Sequence, residues 1–199
     1  IGAEGTVMSG TPSLRMAQEL LSAARIRKIQ GIVNGTTNYI LTQMEAGATY
    51  AAALKDAQAK GYAEADPTGD VEGFDAAGKV VIMANLLMDQ SLTLVDVDRQ
   101  GITQLTPDDI AAAKAAGERW KLIGRVETMG DQTAASVRPT RLPVHHPLAS
   151  VSGATNAITF STDLLGDVTL VGPGAGRIET GYAIIGDLLA IHRKRQSNK

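Results

Sequence analysis

The stretch that most constrains this chain is residues 75–88, Asp-Ala-Ala-Gly-Lys-Val-Val-Ile-Met-Ala-Asn-Leu-Leu-Met. Apart from Asp75, Lys79 and Asn85 every position is apolar or glycine. A helix with so little polar surface has no solvent face of its own and must be surrounded by the rest of the domain. The remaining elements are therefore expected to form a cover around it, and 199 residues suffice for one such core. Upstream, Leu14, Ala17, Leu20 and Leu21 recur at helical spacing after Thr11-Pro12, which predicts a helix to about Ala24. Residues 26–33 are short, β-branched and without clean alternation, as in a buried strand. A helix containing Tyr39, Ile40 and Met44 follows, capped by one of the threonines after Asn34, and then a second helix over 49–60 that stops at Gly61.

Farther on, Thr106-Pro107-Asp108-Asp109 reads as a helix start, with threonine at the cap and acids in the first turn. Strands are expected near 121–126, 133–139, 156–161 and 168–171, and a final amphipathic helix over about 180–193. Strands and helices do not alternate regularly, which predicts an α+β fold with a mixed β-sheet covered by helices. No repeat or linker divides the chain, so residues 1–199 read as one domain.

Composition removes several function classes. A net charge of −2 offers no overall positive field to nucleic acid or a membrane surface. The absence of cysteine excludes disulfides, thiolate nucleophiles and cysteine-ligated metal sites, and permits a reducing compartment. No apolar run approaches the roughly 18–20 residues needed to cross a bilayer. The chain opens at Ile1 in what reads as mid-domain sequence, so its natural start is expected to lie upstream. The basic His192-Arg193-Lys194-Arg195 and Lys199 read as a solvated helix end.

Three segments could carry chemistry. Residues 61–75 hold five carboxylates in twelve positions, Glu64, Asp66, Asp70, Glu72 and Asp75, and Lys79 follows one helical turn after Asp75. A surface acidic loop with an ordinary helical ion pair would look the same. The apolar helix on which Asp75 and Lys79 sit instead places them at the edge of a core, where a partly buried lysine among carboxylates can transfer a proton and the acids can receive an ammonium group. Gly172-Pro173-Gly174-Ala175-Gly176 joins a strand to a helix and could present backbone amides to an anion, or simply turn the chain. It lacks the G-x-G-x-x-G spacing of a dinucleotide fingerprint. Glu4 with Val7, Ser9 and Thr11 could hold a hard cation, as many loops could. His145-His146-Pro147 has adjacent histidines that point apart and reads as loop, not metal site.

With these segments in view the chain resembles homoserine dehydrogenase. The resemblance rests on Gly31-Ile32-Val33-Asn34-Gly35-Thr36-Thr37-Asn38-Tyr39-Ile40-Leu41, on Gly61-Tyr62-Ala63-Glu64-Ala65-Asp66-Pro67, on 70–79 and on Gly172-Pro173-Gly174-Ala175-Gly176, in that order. It covers nearly the whole chain, from Glu4 to about His192. It implies the substrate-binding and catalytic domain of an oxidoreductase that interconverts L-aspartate 4-semialdehyde and L-homoserine with NADP or NAD, a step toward threonine, methionine and isoleucine. The protein would then be a cytoplasmic homodimer built through this domain's sheet. An N-terminal nucleotide-binding domain would hold most of the cofactor and lie near the C-terminal helix at 180–195. By motif position Lys79 resembles the family's catalytic lysine, and Glu64 and Asp75 the acids that hold the substrate's amino group. Thr36 and Tyr62 match substrate contacts, partly through backbone. Gly61, Gly174 and Gly176 match positions near the nicotinamide. Glu4 with the carbonyls of Val7, Ser9 and Thr11 matches a sodium or potassium site. The chemistry agrees: two acids orient a fixed ammonium, and a lysine serves as proton partner to the oxygen left by hydride transfer.

The departures from the family pattern are specific. Residues 1–199 do not include the cofactor domain or the second lysine the family places near the reacting oxygen, both expected upstream; Arg177-Ile178-Glu179-Thr180 lacks the proline common before Thr180, Gly78 replaces a larger residue, and Ser9 and Thr11 replace commoner small or aliphatic ones. The fragment alone is expected to be inactive. A non-catalytic dimerising or amino-acid-binding domain of the same fold is the competing reading, disfavoured by the intact Glu64, Asp75 and Lys79. Aspartate-semialdehyde dehydrogenase needs a nucleophilic cysteine, and there is none.

Overall fold

In the computed structural model, which describes residues 2–130 and 132–197, the short β-branched stretch becomes β1 (Ile26–Ile32). It lies inside the sheet, antiparallel to β3 (Glu118–Met129) on one side and β5 (Thr155–Thr162) on the other. Ile1 and Lys199 lie outside the described residues. β4 (Gln132–Pro143) pairs back on β3, and β6 (Gly166–Pro173) on β5. The short β2 (Val97–Arg99) adds parallel to β4, giving the order β2-β4-β3-β1-β5-β6. One parallel pair among antiparallel ones makes the sheet mixed, as expected for this α+β chain. The lack of alternation in β1 follows from burial on both faces. Ile29 enters the main core, while Ile32 joins Ile123, Leu148, Val151 and Ala157 in a smaller cluster.

The helices on the main-core face are α2 (Gly35–Glu45), α3 (Tyr50–Ala59), α5 (Phe74–Leu87) and α6 (Pro107–Ala115). The apolar stretch is α5, and Val80, Met83 and Ala84 are wholly buried against the sheet. The approach is close: a Cβ on Gly124 of β3 would stand 2.9 Å from Val80 Cγ2, so glycine is what lets helix and strand meet. Thr106 caps α6, as the sequence predicts, and does so in a reciprocal capping box with Asp109.

Two segments depart from expectation. The helix predicted to about Ala24 is a single turn, α1 (Ser13–Arg15), continued by a π-helical turn at Met16–Leu20. A wider turn breaks the 3.6-residue phase, which is why Leu20 lies 75% exposed while Ala17 and Leu21 remain buried. The acidic loop contains a turn of helix, α4 (Thr68–Val71). It is held by Ile102 N donating to Val71 O at 2.8 Å and by the Arg99 guanidinium donating to Glu72 O. The last helix, α7 (Arg177–Ser197), is longer than predicted and packs on the 3-10 turn at Glu4–Thr6.

Candidate active site

The site begins where β1 leaves the sheet. Asn34 is in extended conformation and caps α2, its Oδ1 accepting from Thr37 N at 2.9 Å. The cap is thus the asparagine and not one of the threonines. Thr37 instead sends its hydroxyl back to Asn34 Oδ1. With its acceptor engaged, the Asn34 amide donates to Asp70 Oδ1 at 2.7 Å and to Asp75 Oδ2 at 2.8 Å. Asp75 Oδ2 also receives Lys79 Nζ at 2.7 Å, the predicted one-turn pair on α5. Lys79 Nζ donates in addition to Val33 O at 2.7 Å, and its side chain is only 17% exposed. The ammonium is therefore held at the junction of β1, α2 and α5, with two of its three N–H groups engaged. Asp70 and Asn34 are the members that charge and spacing alone did not single out. Asp70 was one acid among five, and Asn34 looked like the end of a strand.

The segment after α3 lies against the same helix end. Gly61 turns the chain with φ +75°, Thr36 Oγ1 donates to Tyr62 O at 2.6 Å, and the Tyr62 and Tyr39 rings touch with centroids 4.8 Å apart. The predicted contacts Thr36 and Tyr62 are thereby brought together. Glu64 is not drawn into the Lys79 cluster. Its side chain is exposed, and its carboxylate has no hydrogen bond or ion pair among the described residues.

The glycine turn and the Glu4 loop meet on the far side of β5. Thr11 Oγ1 donates to Pro173 O at 3.2 Å, and the hydroxyls of Ser9 and Thr180 are hydrogen-bonded. A Cβ on Gly172 would fall 2.2 Å from Thr11 Oγ1, and one on Gly174 2.2 Å from the Asn156 carboxamide. Glu4 is buried, and its carboxylate caps α1 by accepting from Leu14 N at 3.0 Å and Arg15 N at 2.7 Å. Burial pushes the Glu4 carboxyl upward against the pull of those two amides. Glu4 forms no ion pair with a cationic side chain among the described residues, because Arg15 pairs with Asp187 at 2.8 Å. Val7 O accepts from Ser13 Oγ and Thr11 O from Ser13 N, leaving each carbonyl a second lone pair. A cavity of about 760 Å³ lies elsewhere, between residues 17–26 and the end of α5, and none of the predicted site residues lines it.

The sequence profile of the homoserine dehydrogenase family matches residues 12–189. The chain belongs to the homoserine dehydrogenase family. It is 52% identical over 191 residues to the NAD(+)-dependent homoserine dehydrogenase of Pseudomonas canavaninivorans, covering 96% of this chain and 54% of that protein. The crystal structure of a homoserine dehydrogenase from Thiobacillus denitrificans superposes with a TM-score of 0.95 at 37% identity, over 98% of this chain and 45% of that one. A hyperthermophilic archaeal homoserine dehydrogenase mutant in complex with NADPH has a TM-score of 0.81 at 32% identity, over 96% of this chain and 55% of that one. The chain thus spans about half the length of the relatives it matches. The matched half carries the Asn34, Asp70, Asp75 and Lys79 cluster.

Proposed function

We propose that this chain is the substrate-binding and catalytic domain of a homoserine dehydrogenase, interconverting L-aspartate 4-semialdehyde and L-homoserine with NAD or NADP. The observation that carries the reading is the Lys79 ammonium, fixed by Asp75 and Val33 O with one N–H left over. That N–H is the proton donor to the carbonyl oxygen during reduction, and the amine takes the proton back during oxidation. The dinucleotide, when bound, supplies or removes the hydride. The free carboxylate of Glu64 and the remaining oxygen of Asp75 receive the substrate's ammonium, and Thr36 with the Tyr62 backbone bounds its other end. Gly61, Gly174 and Gly176 are assigned to the nicotinamide end of a dinucleotide; Gly61 stands open, with nothing within 4 Å of where a Cβ would be, while Gly174 lies against Asn156 and Gly176 against the Glu179 carboxylate. The buried, unpaired charge of Glu4 and the spare lone pairs of the Val7 and Thr11 carbonyls, with the Ser9 carbonyl, suit sodium or potassium.

We place the nucleotide-binding domain against α7, whose Ile178, Tyr182, Ile185 and Leu188 are exposed. A homodimer would form through the sheet face opposite the helices, and the enzyme would work in the cytoplasm on a small amino acid rather than on nucleic acid or a membrane. No helix among the described residues is long and apolar enough to cross a membrane. The test is Lys79→Ala in the protein expressed from its whole gene. Turnover should fall by about 10² or more with homoserine and NAD(P). A near-normal kcat would remove Lys79 from the mechanism and favour the non-catalytic reading.

A further inference from the structure

Tyr39 follows Thr36 by one turn of α2, so the two side chains share a face. Both turn toward the chain after α3. Thr36 Oγ1 donates to Tyr62 O at 2.6 Å, and the Tyr39 ring lies against the Tyr62 ring with centroids 4.8 Å apart. Tyr39 is buried, so its hydroxyl needs partners within the protein. It finds them at the end of α3. The phenol donates to Asp56 Oδ2 and accepts from Lys60 Nζ at 2.6 Å, and Lys60 also donates to that same Asp56 oxygen at 2.9 Å. An exposed pair one helical turn apart contributes little by itself. Here it holds a buried phenol in both its donor and its acceptor role, which fixes the hydroxyl. The bond from Tyr39 keeps the Asp56 carboxyl below its ordinary value, and the bond to Tyr39 keeps the Lys60 ammonium above its own, so both stay charged. Lys60 is followed directly by Gly61, whose φ of +75° turns the chain, and then by Tyr62, Ala63 and Glu64. Gln58 Nε2 donates to Glu64 O at 3.1 Å. The backbone from Gly61 to Glu64 is thus held from both α2 and α3, while the Glu64 side chain stands exposed at its end.

We propose that Tyr39 is a positioning residue: its phenol, locked between Asp56 and Lys60, backs the Tyr62 ring and so aims the Glu64 carboxylate at the ammonium of the amino-acid substrate. This rests on the proposed dehydrogenase reading. A carboxylate on a wandering surface segment gives up that freedom when it grips a ligand, which weakens binding. A segment held in advance has already given it up. The lock lies outside the Lys79 cluster, so it governs how tightly the substrate is held and not the proton transfer.

The experiment is a double-mutant cycle in steady-state kinetics with homoserine and NAD(P), on the protein expressed from its whole gene. Tyr39→Phe keeps the ring against Tyr62 and removes the hydroxyl. It should raise KM for homoserine about fivefold, the scale of one hydrogen bond, with kcat close to normal. In a Glu64→Gln background the same change should move KM by less than about twofold, because the group it aims is already lost. Lys60→Met, at a half-exposed position, keeps the phenol but removes the donor to it, and should show the same dependence on Glu64. It decides the matter where Tyr39→Phe does not fold. An unchanged KM in Tyr39→Phe overturns the inference. So does a rise of equal size with and without Glu64, since that is the pattern of general structural damage. A Lys60→Met protein with the wild-type KM overturns it too, because the ion pair would then not set the phenol. If the wild type oxidises no homoserine with either dinucleotide, the dehydrogenase reading itself fails and the inference goes with it.

Discussion

At the scale of single residues, the two acids proposed for the substrate's ammonium have different surroundings. Among the described residues the Glu64 carboxylate has no partner, whereas Asp75 is shared between Asn34 and Lys79. Glu64→Gln should raise KM for homoserine and leave kcat close to normal. Asp75→Asn should raise KM and lower kcat together, because it also releases the amine. Steady-state kinetics of the pair checks this, and an unchanged kcat in Asp75→Asn would show that the ion pair does not position Lys79. A second lysine behaves differently. Lys121 is 1% exposed, with Nζ donating to Val151 O at 2.6 Å and to Asn38 Oδ1 at 3.1 Å. Burial pushes its pKa down to about 8; Glu45 pulls it up and Arg119 adds to the depression. Below pH 8 both folded and unfolded chains carry this proton, and the burden of the buried charge is present in full. Between about 8 and the ordinary value of 10.5 the folded state releases it first, so stability contributed at this site rises with pH. Relative to Lys121→Met, the wild type should gain at most about 3 kcal/mol across that window in denaturant unfolding. A flat difference would mean that burial does not depress the pKa of Lys121.

At the scale of elements, the N-terminus of α2 does two jobs through one side chain. Asn34→Ala removes a helix cap, at about 1 kcal/mol of stability, and also frees Asp70 and Asp75. Asn34→Asp keeps an oxygen for Thr37 N but replaces the donor to Asp70 and Asp75 with a third carboxylate that repels both. It should therefore keep most of the cap's stability yet lose kcat/KM, while unchanged kinetics would indicate that the bridge is only structural. The sequence made the existence of α2 plain and misassigned its cap, because asparagine and threonine are both good caps and only the chain path out of β1 separates them. The one-turn helix α4 was invisible for a related reason. Four residues carry no periodicity, and α4 is held by Arg99 and Ile102, which are distant in sequence.

At the scale of the whole molecule, α7 is the element least satisfied by its own chain. Ile178 is 84% exposed and Leu188 61%, while Ala183 is buried. Exposed apolar rows of this kind mark interfaces. Ile185→Asp with Leu188→Asp should split the calorimetric unfolding of the whole-gene protein into two transitions and raise KM for NAD(P). A single unchanged transition would place the proposed cofactor domain elsewhere.

The apolar stretch 75–88, the buried strand at 26–33, the threonine cap at Thr106 and the Asp75–Lys79 pair were all decided by the sequence, because each depends on neighbours within a few positions. The mixed sheet, too, followed from the order of elements. What only the tertiary structure decided were contacts between distant segments: Asn34 reaching Asp70 and Asp75, Glu4 capping α1, and Gly174 lying on Asn156. Local periodicity records which face of an element is buried, but not what it is buried against. A hydrogen bond across 36 residues leaves no mark in either segment that would identify its partner.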